Sequence, residues 1–367
     1  MSAVELETIE SVEGLEAAEA GWDELVAAQR RPSPFLLHAW VAEWARAFGD
    51  GVELQVHTAR RDGRLVGLLP LQVVRRGGLR VAEFVGGTLT NFADLLVAPG
   101  EPAETAERLV QRADGFDFAH LHGLCAGSRL AARASLSVVE RVGAPVLDLS
   151  GGWDAVYHAK TSSKRRNLHR RRRKQIESLG RVETRVARTP DEIDAVIDDT
   201  FRLHELRWAG RHDGSGYATA AGRAFHRVAA RRLAEKGNSR IVTLDLDGTP
   251  IAFHYYFALA ERMYVHRLAF DPAYAQWSPG LINTLDALQT AADDGLTLVE
   301  YMGAADRYKV ELSDRLEPMH DAFGLAHTVQ GRVASTASRR LLELRLRSKD
   351  VDTFRNAYLR ARALTAR

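Results

Sequence analysis

Apolar residues in the first half of the chain fall at helical spacing before giving way to strand-like runs. Phe35, Leu36, Trp40, Trp44 and Phe48 line one side of a predicted helix, with Ser33 as its N-cap and Pro34 in its first position. The run VELQVHTAR follows, then Asp62-Gly63, then LVGLLPLQVV. Asp-Gly between two strand-like runs predicts a tight hairpin. Further short strands are predicted at 79–85, 117–122 and 145–149.

The second half repeats this grammar. AGRAFHRVAARRLAEKG reads as a helix ending on Gly237, and SRIVTLDL and IAFHYYFALA read as strands on either side of Asp247-Gly248. Helix, strand, Asp-Gly, strand thus occurs twice, which predicts an α/β fold built from a duplicated unit with a partly antiparallel sheet in each copy. MYVHRLAFD is a further strand ending at Asp271-Pro272, LINTLDALQTAADDG a helix closed by Gly295, and TLVEYMG the next strand. From Gly331 onward, Leu341, Leu342, Leu344 and Leu346, then Phe354 and Tyr358, predict a basic amphipathic helical tail. The expected organisation is a first unit at 1–159, a basic linking helix at 160–180, a second unit at 181–330 and the tail at 331–367.

A length of 367 residues suits two domains, and 46% hydrophobic with 27% charged residues is the balance of a soluble globular protein. No apolar run is long enough to span a bilayer, and the acidic start MSAVELETIESVEGLEAAEAGWDEL is unlike a secretory signal. The expected location is cytoplasmic. A single cysteine, Cys125, excludes an internal disulfide and a cysteine-based zinc site and reads as a small buried hydrophobe. His120 and His122 alternate on one strand face without a further ligand set, so no metal is expected.

Charge is unevenly spread. The net charge is +2, yet residues 160–174 hold nine of the 50 Lys and Arg and no acid, leaving 41 basic against 48 acidic residues elsewhere. Any phosphate or nucleic-acid reading rests on that segment, which is predicted to be a largely solvated helix with Ser162 or Ser163 as N-cap and Leu168 as its apolar anchor. It lacks the interleaved aromatics of an RNA-binding motif, so simple nucleic-acid binding is not expected. A second anion feature is the strand, then Ser278-Pro279-Gly280, then a helix. The first amides of a helix have no internal partners and carry partial positive charge, Pro279 suits the first turn, and Gly280 leaves its backbone open.

The ordered set FRLHELRWAGRHDGSGY, the Asp-Gly hairpin with IAFHYYF, RLAFDPAYAQWSPGLI and YMGAADRYK resembles the GNAT-like acetyltransferase family that includes CelD-type proteins of cellulose and exopolysaccharide biosynthesis. FLLHAWVAEW, DGRLVGLLPL and FVGG followed by NFADLLV extend the resemblance into the first half, so that it covers most of residues 30–325. The resemblance implies two tandem GNAT-like units with mixed sheets and a C-terminal helical tail, similar to the Fem-type aminoacyltransferases. It implies acyl transfer from acyl-CoA or another thioester carrier to an amine or hydroxyl on a small-molecule or saccharide acceptor. It places the carrier pyrophosphate on Trp277, Ser278, Pro279, Gly280 and Leu281. The Gln/Arg-x-x-Gly-x-Gly loop of simple GNAT enzymes is absent, which leaves acyl-CoA, acyl carrier protein and tRNA open as carriers.

Acyl transfer needs positioned reactants, a proton acceptor and donors for the developing oxyanion. Amides near Leu268 and Ala269 are candidates for the last of these. Candidate acceptors are His204, Glu205, His254, His266 and Asp306, with His266 and Asp306 favoured because they lie at or just beyond strands flanking the carrier helix. His204 and Trp208 share a helix face with Arg207 beside them, a placement suited to holding acceptor or carrier. Tyr308 and Lys309 match the family's Tyr-Lys signature, and Lys309 with Asp306 can position a polar substrate. The rival reading is an aminoacyl-tRNA-dependent transferase guided by residues 160–174. A third is a non-catalytic carrier-binding scaffold.

Overall fold

The structure is a computed structural model that describes residues 2–208, 216–302 and 307–348. The chain forms two compact units. The first comprises residues up to Ala144 together with the segment from Glu317 onward, and the second spans Pro145–Leu316.

In the first unit the elements are β1 (Glu5–Ile9), α1 (Val12–Ala17), α2 (Trp22–Ala27), α3 (His38–Phe48), β2 (Glu53–Arg61), β3 (Arg64–Arg76), β4 (Leu79–Phe84), β5 (Leu96–Val97), α4 (Ala103–Arg112), β6 (Phe118–Cys125) and β7 (Leu136–Asp148), whose last four residues lie in the second unit. Pro34 does not open one long helix: Pro34–Leu36 is a single 3₁₀ turn and α3 starts at His38. The Ser33 hydroxyl donates to the Phe92 carbonyl at 2.7 Å instead of capping. β3 is buried without interruption from Leu65 to Val73, because both of its faces are covered.

The second unit holds α5 (Trp153–Lys160), α6 (Ser163–Glu177), β8 (Val182–Ala187), α7 (Pro190–Trp208), α8 (Ala220–Glu235), β9 (Ser239–Leu246), β10 (Thr249–Leu259), β11 (Arg262–Phe270), α9 (Pro279–Asp293), β12 (Leu298–Glu300) and α10 (Arg307–Glu311). Next come β13 (Arg315–Gly324), most of which belongs to the first unit, and α11 (Val329–Ser348). The basic segment is α6, inside the second unit. Ser162 caps it by accepting from Arg165 N, and its buried anchor is Ile176, packed with Leu244, Ile251 and Ile282, whereas Leu168 is exposed.

Both units carry the same mixed sheet. In the first the order is β1-β2-β3-β4-β6-β13, and in the second β8-β9-β10-β11-β12-β7. Successive pairings in each run antiparallel three times, then parallel, then antiparallel. The hairpins agree in detail: Asp62-Gly63 and Asp247-Gly248 both have two positive φ angles, as a tight primed turn requires. In both, the third residue after the glycine, Val66 or Ile251, is the extra residue of a β-bulge. The fold is two tandem α/β units plus a C-terminal helix.

Candidate active site

β11 pairs with β12 only over Arg262–Tyr264 and Leu298–Glu300, although β11 continues for six more residues. Past Tyr264 the β12-facing edge of β11 therefore has no parallel partner among the described residues. α9 begins at this carboxyl end, where parallel strands commonly present ligand sites. Its N-cap, Ser278, sits in the left-handed region at φ 59, ψ 49, and Pro279 is its first residue. Leu281 N and Ile282 N return to the Ser278 carbonyl at 3.1 and 3.3 Å. A Cβ at Gly280 would stand 2.7 Å from Cδ1 of Phe270, so the glycine first of all lets the last ring of β11 pack on the helix start.

Two groups of predicted residues come together around β11. His266 is the extra residue of a bulge, since Tyr255 faces Arg267 and Tyr256 faces Val265. Its ring lies 4.8 Å from Phe257, 5.1 Å from Tyr255 and 5.6 Å from His226 on α8. Tyr217 links His226 at 4.7 Å to His204 at 4.9 Å, and His204 lies 6.2 Å from Trp208. Burial, then the Arg267 charge, then His226 hold the His266 pKa well below the usual histidine range. The ring is neutral near neutrality and donates or accepts without carrying charge.

The second group surrounds Phe270. The Arg207 guanidinium lies 5.0 Å from the Phe270 ring centroid and 5.4 Å from that of Trp208. Phe270, Tyr274 and Trp277 pack against the same core cluster around Ile251 and Ile282, and Arg172 of α6 donates to the Gln276 carbonyl just before α9. Arg173 pairs with Asp286 on α9, so α6 lies along that helix. Sequence reasoning assigned no role to Phe270 or Arg172. The seven-residue interval between Arg165, which pairs with Glu311, and Arg172 is the signal that both share one helix face.

Lys309 joins neither group. Its Nζ donates to the Met302 carbonyl at 3.3 Å, and its charge adds to burial in lowering His254 to about 3. His254 pairs with Leu268 across the β10–β11 ladder and is fully enclosed. Asp306 lies outside the described residues, as does the side chain of Tyr308. No group of three or more His, Cys, Asp or Glu side chains suited to a metal occurs among the described residues.

The profile of the acetyltransferase (GNAT) domain family matches residues 163–310, within the second unit. That segment is similar to a GNAT domain. The chain is accordingly a transferase enzyme of GNAT fold, with an acyl donor and an acyl acceptor as its partners. No curated protein sequence matches it. Among solved structures, FemX aligns at 11% identity over 87% of this chain and 96% of its own, with a TM-score of 0.57. L-PGS from Bacillus licheniformis aligns at 12% identity over 90% and 96%, TM-score 0.57. A conserved protein of unknown function from Bacteroides thetaiotaomicron VPI-5482 aligns at 13% identity over 88% and 100%, TM-score 0.57. At these identities the likeness is one of fold. No described helix is long and apolar enough to cross a membrane.

Proposed function

We propose that the second unit transfers an acyl group from acyl-CoA to an amine or hydroxyl of a small-molecule or saccharide acceptor. The observation that carries this reading is the parting of β11 and β12 at the N-terminus of α9, within the segment that matches the GNAT domain. The turn of Trp277, Ser278, Pro279, Gly280 and Leu281 holds the carrier's pyrophosphate against the positive end of α9. The edge of β11 near Leu268 and Ala269, without a strand partner among the described residues, offers donors to the thioester oxygen.

In this reading His266, neutral in its aromatic setting, accepts the proton of the nucleophile directly or through water. Asp306 orients the acceptor, while Tyr308 and Lys309 engage a carboxylate or phosphate on it. His204, Arg207 and Trp208 close the acceptor side. A polysaccharide-related acceptor agrees with the CelD-type resemblance, and a cytoplasmic site of action agrees with a CoA donor.

The side chains of Lys164, Arg171 and Lys174 of α6 are exposed and make no ion pair or hydrogen bond among the described residues, which favours aminoacyl-tRNA as the second reading for the donor. One experiment separates the two. Acetyl-CoA is expected to raise the melting temperature and to release free thiol when amine acceptors are present. Salt-sensitive tRNA binding without a response to acetyl-CoA would replace the first reading by the second. Tight carrier binding with no turnover would mark a scaffold.

A further inference from the structure

We propose that α11 docks the protein onto an anionic membrane surface. Among the described residues the helix is anchored at its start. Thr328 Oγ1 donates to Asp117 at 2.8 Å and accepts from Gly331 N at 2.9 Å, and a Cβ at Gly331 would lie 2.0 Å from the Asp117 carbonyl oxygen. Ser335 is the last buried residue, and from Thr336 to Arg347 nothing is buried. The fold's core therefore does not account for the leucines that follow.

Those leucines form a pattern. Val333, Ala337, Leu341 and Leu344 recur at helical spacing on the side away from Gly331 and Ser335, continuing from Val329. Val329, Val333, Leu341 and Leu344 are 67%, 66%, 50% and 61% exposed, against the burial usual for such residues. Arg345 borders the stripe on one side, and Arg332, Arg340 and Arg347 border it on the other, all exposed. The only acid of α11, Glu343, is paired with Arg339 at 2.6 Å.

An exposed apolar stripe between arginines suits an interface whose interior is apolar and whose headgroups are negative. A second copy of the helix suits it less well, because it would bring like charges together with no free acid on that face to offset them. α11 is long enough to cross a bilayer but not apolar enough, so it would lie in the plane of the interface.

The test is sedimentation of the full-length protein with vesicles of phosphatidylcholine alone and of phosphatidylcholine mixed equally with phosphatidylglycerol. Binding is expected to the mixed vesicles only and to weaken as salt is raised. Leu341→Gln with Leu344→Gln, and separately Arg332→Gln, Arg340→Gln and Arg347→Gln together, should each weaken it by roughly tenfold or more. The melting temperature should stay unchanged, since these side chains are exposed. Absence of binding to the mixed vesicles, or binding that the leucine pair leaves intact, overturns the proposal. A dimer that the leucine pair dissociates, without vesicle binding, would overturn it in favour of a second copy.

Discussion

The two units share their frame to the level of a single bulge residue and then part after the fourth strand of each sheet. In the first unit β4 and β6 run parallel over Val81–Phe118 and Ala82–Ala119 only. The chain leaving β4 then turns back against β6. His122 Nε2 bonds the Thr90 carbonyl at 2.8 Å, Asn91 and Phe92 press on Gly123, and Leu89 and Phe92 are buried. In both units the residue after the fourth strand still bonds the third strand, Val85 N to the Pro70 carbonyl at 3.1 Å and Asp271 N to the Ile251 carbonyl at 2.8 Å, but in the second unit the segment that follows is a 3₁₀ turn, Pro272–Trp277, that leads into α9. Past Tyr264 the β12-facing side of β11 has no such covering loop among the described residues. One frame can thus serve as a filled scaffold or as a site, and the segment after the fourth strand decides which.

The largest expected effect breaks the comparison at its chemical end. Removing a general base typically costs about 10²–10⁴ in rate, so His266→Ala should lower turnover by that order while carrier affinity is retained. Because burial depresses the His266 pKa, its basic form persists through neutral pH and is lost only as pH falls through that low value. The wild-type pH–rate profile should have its acidic limb below the ordinary histidine range, and the variant should lack it. Full turnover with an unchanged profile would move the role to Asp306 or to water.

Next in size is a pair of glycines that sharpens the contrast. Gly123 has φ +73, and a Cβ there would lie 2.3 Å from the Asn91 carbonyl oxygen, a backbone atom with no freedom to yield. Gly123→Val should cost about 3 kcal/mol or more, read by denaturant unfolding. At Gly280 the obstacle is the Phe270 ring, which can shift. Gly280→Ala should cost only about 1 kcal/mol in stability and weaken acetyl-CoA binding more than it weakens the fold. Equal stability losses at both positions would dissolve the distinction between a filled scaffold and an open site.

Much of the frame is legible in the residues. Asp-Gly flanked by apolar runs specifies both hairpins because few residues other than these accept two successive positive φ angles. Gly237 and Gly295 close helices with positive φ, as read from sequence. The site is less legible. A bulge depends on how two strands pair, so nothing in MYVHRLAFD marks His266 as the extra residue. Leu168 is the lone apolar residue of the arginine run, but Ile176 is the one that reaches the core, because the helix face is chosen by packing on α9 rather than by local composition. Arg207 and Gly280 are far apart in the chain, and only Phe270 between them reveals that they share one end of β11.

The smallest expected effect concerns the strained cap of α9. Ser278 is held at φ 59, so Ser278→Gly should stabilise the protein by about 1 kcal/mol in thermal unfolding. A stabilised variant that binds acetyl-CoA less tightly would mean that the strained turn preorganises the carrier site.

The central claim, that the second unit works on an acyl carrier while the first supplies a filled copy of the same frame, is tested most directly by amide hydrogen exchange with and without acetyl-CoA. The account predicts slowed exchange across Val265–Ile282, with Val81–Leu95 and His120–Cys125 unchanged. Slowed exchange in those first-unit segments, or none at the end of β11 and the start of α9, would contradict it.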